Sequence, residues 1–144
     1  MHKKSYASGF LYHLPSQQIL LQQQPIESTS TSPWILFSEP YTGDEMPEQI
    51  FKEKILKILN VKINTVHPIY TYFDEPNNAS HFIVYSKLNK LQEFPPQNGL
   101  NFAWFAFKEI VKLNVLKQTK HDIVVGQRVI DAAARISRGE HSFQ

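Results

Sequence analysis

A chain of 144 residues with a formal charge of +2, 42% apolar and 19% charged residues has the composition of one ordinary globular domain. Zero cysteines exclude a disulfide framework and a thiolate zinc site, and the small net charge does not point to a polyanion partner such as nucleic acid. No apolar window approaches the length of a membrane span, and Tyr6, Ser8, His13 and Pro15 break up the start of the chain, so no signal peptide is predicted. The expectation is a cytoplasmic protein, a monomer or a homodimer.

Tyr6, Phe10, Tyr12 and Leu14 fall at strand spacing over 6–14, with Ser8 among them, and Ile19-Leu20-Leu21 centres a second strand over 17–23. Pro15-Ser16 between them predicts a hairpin turn. Residues 25–33, rich in Ser and Thr, predict an exposed loop, and 34–37 a short buried strand. A polar loop over 38–46 then leads to a helix that starts at Pro47, with proline at its first position. Phe51, Ile55, Ile58 and Leu59 form that helix's apolar face, and Asn60 suits the left-handed position that ends it.

Strands are predicted over 61–66, 69–73 and 81–86, the last two joined by the Asp74-Glu75-Pro76-Asn77-Asn78 turn. After a loop at 95–99, residues 102–105 predict a strand and 107–113 a short helix. A final helix over 120–137 is expected to bury Val125, Val129, Ala132 and Ile136, and 138–144 to form a mobile tail. A hairpin, a strand, a helix, more strands and a helix make an α+β domain over 1–137, a mixed sheet covered by helices.

With Trp34 and Leu36 on a strand, Glu45 in the loop and Ile55, Asn60 and Val61 along and after the helix, the stretch from Trp34 to Val61 resembles the Nudix family of diphosphate hydrolases. In that family a strand carrying Trp-x-Leu-Pro-Gly-Gly leads to Gly-Glu and then to a helix with Arg-Glu-hydrophobic-x-Glu-Glu-x-Gly. Trp34 and Leu36 match, Glu45 matches the first glutamate, Ile55 and Val61 fall on apolar positions and Asn60 on the final glycine, with no gap. The resemblance implies a Nudix-like sheet sandwiched by helices. It also exposes what is missing: Lys54 stands at the first metal-binding glutamate, Lys57 and Ile58 at the last two, and Glu53 at the arginine.

Residues 54, 57 and 58 share one helical face. Holding Mg²⁺ beside a diphosphate takes hard anionic oxygens, and two ammonium groups and an alkyl chain repel a cation instead. Sliding the register by one recovers Glu53 alone and loses Glu45. A salt-paired, solvated helix accounts for the same charges, since Glu48–Lys52 and Glu53–Lys57 are i, i+4 pairs with the acid first.

The six histidines lack metal-ligand spacing, the five glycines form no phosphate-cradling loop, and no nucleophile elbow occurs. Glu39, Asp44, Glu45, Glu48, Asp74, Glu75 and Glu109 are carboxylates that a relocated site would draw on, or else turn and cap residues. Tyr72 and Trp104 are rings placed to stack a base or to fill a core. With Glu39 and Tyr41 they make the candidate pocket.

Two functions follow. In one, the domain has lost Mg-dependent hydrolysis and binds a nucleotide-like ligand or a protein partner, needing no cofactor. In the other, a divergent hydrolase uses Glu45, Glu48 and Glu53 with Mg²⁺ or Mn²⁺ on nucleoside-diphosphate-linked substrates. A domain that acts only by dimerising is a third possibility.

Overall fold

Alternation along the first strand sends Phe10 and Tyr12 to one side and Leu11 to the other, and in the computed structural model both sides are covered. The structure describes residues 3–24 and 32–139. β1 (Lys4–His13) is the central strand. It pairs in parallel with β6 (Ala79–Lys87), which pairs antiparallel with β5 (His67–Asp74). Its other edge is shared: β2 (Gln18–Gln23) takes Leu11–His13, and β4 (Phe37–Tyr41) takes Ser5–Gly9.

The two partners diverge around Leu36, which is buried and whose carbonyl accepts a bond from Gln22 Nε2 at 3.2 Å. β2 continues outward to β3 (Trp34–Ile35) and β7 (Asn101–Ala106). α1 (Pro47–Leu59) covers one face through Phe51, Ile55 and Leu59, packed on Leu11, Phe37 and Val84. α2 (Lys117–Ser137) covers the other through Ile123 and Ile130, packed on Phe10, Tyr12, Ile83 and Tyr85. The result is the expected mixed α+β sheet with a helix on each side.

Both hairpins form as the turn residues predict, with Gln17 and Asn78 at positive φ, and Asn60 closes α1 at φ 57° with its N–H on the Leu56 carbonyl at 2.9 Å. Four expectations are corrected. Residues 38–41 are a strand rather than a loop, because the free edge of β1 captures them and Ser38 Oγ meets Ser8 Oγ at 2.7 Å; Pro40 is tolerated because, among the described residues, β4 pairs on one side only. Residues 61–66 are not a strand. Ile63 drops into the core beneath α1 and the Thr65 carbonyl accepts from Ser86 Oγ at 2.8 Å, so the segment is pinned by packing without a ladder.

The helix predicted over 107–113 is one 3₁₀ turn, Phe107–Glu109, followed by turns. α2 begins at Lys117 and buries Thr119, Asp122, Ile123, Gly126 and Ile130, while Ile136 stays 68% exposed. At Gly126 and Ile130 the inward stripe falls one residue after the predicted Val125 and Val129, although Val129 still packs at the edge of the core. A Cβ on Gly126 would lie 2.9 Å from Phe10 Cζ, so this glycine lets the helix approach the sheet. The predicted loop at 25–33 lies, over 25–31, outside the described residues, as does the predicted tail over 140–144.

Candidate functional site

α1 follows β4 after a five-residue loop, and this brings the helix face carrying residues 54 and 57 against the β4 strand. A cleft of 260 Å³ opens there, lined by Glu39, Glu45, Glu53, Lys54 and Lys57 with Pro40 and Ile50. Lys54 reaches across it, and its Nζ lies 2.9 Å from Glu39 Oε1, the two side chains 19% and 37% exposed. An ion pair this exposed contributes at most about 1 kcal/mol to stability. Its chemical meaning is larger: a tethered ammonium already occupies the carboxylate that faces it across the cleft.

The remaining carboxylates are engaged locally. Glu45 Oε1 accepts from Thr42 Oγ1 at 3.2 Å and Glu53 Oε1 from Gln49 Nε2 at 3.3 Å. Glu48, expected with them, does not line the cleft; its Oε1 is buried with no hydrogen-bond partner among the described residues. It sits close enough to Tyr41 to help raise that phenol's pKa, behind the larger effect of burial. Glu109 caps the Ala106 N–H at 2.8 Å and Asp74 takes the Asn77 amide at 2.7 Å, so both serve their turns. Among the described residues no group of three His, Asp or Glu side chains is placed to hold a metal. Two ammonium groups among the cleft's three carboxylates do not fit the donor set of a divalent ion.

The opposite face of the sheet holds a cluster that the sequence did not reveal. Register aligns Tyr6, His81 and Tyr72 across β1, β6 and β5, and the imidazole stacks on both phenols, at 5.1 Å and 4.7 Å between centroids. Next to this row Tyr70 donates its hydroxyl to Asp122 Oδ1 at 2.6 Å, and Gln118 Nε2 donates to the same oxygen at 2.9 Å. Asp122 is 4% exposed, and burial raises its pKa against the opposing effect of Tyr70 and Gln118. Burial and Asp122 push Tyr72 up to about 12 and raise Tyr70 as well, so both stay protonated donors at physiological pH. A polar residue within the helix's inward stripe was the one available signal, hidden because that stripe was misplaced.

The four candidate pocket residues do not converge. Glu39 lines the α1 cleft, Tyr41 lies 6.1 Å from Phe82, Tyr72 belongs to the α2 side, and Trp104 packs on the α1 side over β2.

No family model and no curated protein sequence matches the chain. Solved structures do. The Nudix domain of Shewanella oneidensis NrtR, in complex with ADP-ribose, superposes with a TM-score of 0.70 at 12% identity, covering 90% of each chain. A MutT/Nudix family protein from Listeria innocua gives 0.66 at 10% identity over 94% of this chain and 98% of the other. The C-terminal domain of mouse MUTYH, in complex with human PCNA, gives 0.68 at 11% identity over 99% and 94%. At such identities the likeness speaks for architecture alone. With its split mixed sheet, its helix on either face and these superpositions over most of its length, the chain has the Nudix fold.

Proposed function

We propose that this chain is a Nudix-fold binding domain for a nucleotide-like ligand, one that does not perform Mg-dependent diphosphate hydrolysis and works without a metal cofactor. The observation that carries this reading is the Lys54 ammonium 2.9 Å from Glu39, at the position where the family's pattern asks for the first metal-binding carboxylate. A cation built into the chain removes the need, and the room, for a mobile one.

The ligand class rests on two supports. One is the Tyr6–His81–Tyr72 row with the Tyr70–Asp122–Gln118 network beside it, a set of stacking faces and hydrogen-bonding groups suited to a flat heterocycle. The other is the ADP-ribose held by the NrtR domain of the same fold. A cytoplasmic location agrees with this ligand class, and among the described residues no helix is long and apolar enough to cross a membrane.

One observation favours a second reading: Glu39, Glu45 and Glu53 share the cleft, so a divergent hydrolase with relocated carboxylates has donors at hand. A panel of nucleoside diphosphates and ADP-ribose, with Mg²⁺, Mn²⁺ or chelator, separates the two by following melting temperature and phosphate release together. The binding reading expects a ligand-dependent rise in melting temperature that chelator does not abolish, and no turnover. Phosphate release that requires metal and falls in Glu45→Gln or Glu53→Gln would establish the hydrolase instead.

A further inference from the structure

Another cleft stands apart from both clusters above. It measures 510 Å³ and opens on the α1 side of the sheet, between β7 with β2 and the irregular segment at 91–94. Trp104, Phe102 and Phe94 contribute aromatic walls, and Leu20 and Leu91 line it with them. β7 supplies Phe102 and Trp104 to the same side because they are two residues apart, while Phe105 turns to the other core.

The rings are held in place. Trp104 donates its indole N–H to the Gln92 carbonyl at 2.8 Å. Phe102 stacks on Phe37 at 6.1 Å and meets Phe94 edge to face at 6.5 Å. Trp104 has a ring neighbour only in His13, which lies at 68° to it, so among the described residues no ring is stacked on the indole. Of the side chains that line the cleft one is charged, Glu93, and it has no hydrogen-bond or ion-pair partner among the described residues.

We propose that this cleft is a binding site for an organic cation, a quaternary or alkylated ammonium group, seated against Trp104 and Phe94 with Glu93 as its counter-charge. An aromatic face attracts a cation through its quadrupole, Trp most strongly, and the attraction is greatest for a diffuse, weakly hydrated charge that sheds water at little cost. Aromatic and apolar walls and a single charged side chain, the unpaired Glu93 carboxylate, supply both requirements; Gln18 adds one neutral amide, and no cationic side chain lines the cleft to attract an anion. The inference is independent of the nucleotide reading, since none of its residues belongs to the α1 cleft or to the Tyr6–His81–Tyr72 row.

Choline and its uncharged isostere 3,3-dimethylbutan-1-ol distinguish charge recognition from simple apolar binding. Titrating each into the full chain, with tryptophan fluorescence and calorimetry as readouts, should give saturable binding of choline and at least about 10-fold weaker binding of the isostere. Glu93→Gln, a change at an exposed side chain, should weaken choline binding by about 3-fold or more, and Trp104→Phe by a similar factor. If Trp104→Phe fails to fold, Glu93→Gln alone decides. Equal binding of the isostere, no saturation by choline, or an unchanged affinity in Glu93→Gln would each overturn the assignment. An adenosine control that competes for the same cleft would overturn it too, by making Trp104 a base-stacking residue.

Discussion

Asp122 is a carboxyl group whose ionised form the fold holds only at a cost. It is 4% exposed, and two donated hydrogen bonds only partly offset the loss of water. Because burial raises its pKa, the folded chain holds this proton more tightly than the unfolded chain does. Its contribution to stability therefore falls as pH rises through the folded-state pKa and is recovered on acidification below it. Asp122→Asn keeps an oxygen for Tyr70 and Gln118 and removes the charge. The melting temperature of the variant relative to the parent should be more favourable at pH 7 than at pH 4. The opposite ordering would mean that the carboxylate is stabilised by its partners and is no burden. None of this was visible in the sequence, since Asp122 and Tyr70 lie 52 positions apart and meet only through packing.

Helix faces differ in how far local pattern alone resolves them. α1 was legible: Phe51, Ile55 and Leu59 are buried as expected with Ile58 at the edge of the core, and the proline at its start and Asn60 at its end agree with the structure, which buries Ile50 as well. α2 was not. Its valines and Ile136 invited one stripe, but the helix turns Gly126 toward Phe10 and Ile69, and the stripe follows the closest approach instead of the largest apolar side chains. Its last turns carry Ile136, 68% exposed, away from the core. Ile130→Ala, at a site 4% exposed, should cost about 2–5 kcal/mol, whereas Ile136→Ser should stay within about 0.5 kcal/mol of the parent. Comparable losses in chemical denaturation would place both on the core face and contradict the packing. At 61–66 the β-branched residues were similarly misleading, because Ile63 is consumed by the core beneath α1 and the backbone pairs with no strand among the described residues.

At the scale of the whole molecule, scaffold and chemistry are separable. The architecture depends on Phe51, Ile55 and Leu59 facing inward, while the charge on Lys54 and Lys57 faces the cleft and is free to change. Lys54→Glu with Lys57→Glu should therefore leave the fold intact and turn the cleft, with Glu39, Glu45 and Glu53 already in it, into a divalent-ion site. Mn²⁺ at about 100 times its Kd would then stabilise the variant by about 2.7 kcal/mol, several degrees in melting temperature, while leaving the parent unchanged. An equal shift in the parent would show that the lysines do not exclude the ion. Ile58 is left out of the exchange because it packs against the α1 core, where a carboxylate would be desolvated.

The sequence by itself determined the α+β class, most of the elements and turns, and the lysines at 54 and 57 of α1, because periodicity, positive-φ turn residues and charge are properties of neighbours along the chain. Tertiary structure alone decided that β4 would complete β1, that Lys54 would take Glu39 as its counter-ion, and that Tyr6, His81, Tyr72 and Asp122 would gather on the opposite face. Those outcomes depend on strand register and on how closely a helix can approach a sheet. Both are set by packing between segments tens of residues apart, which no local pattern encodes.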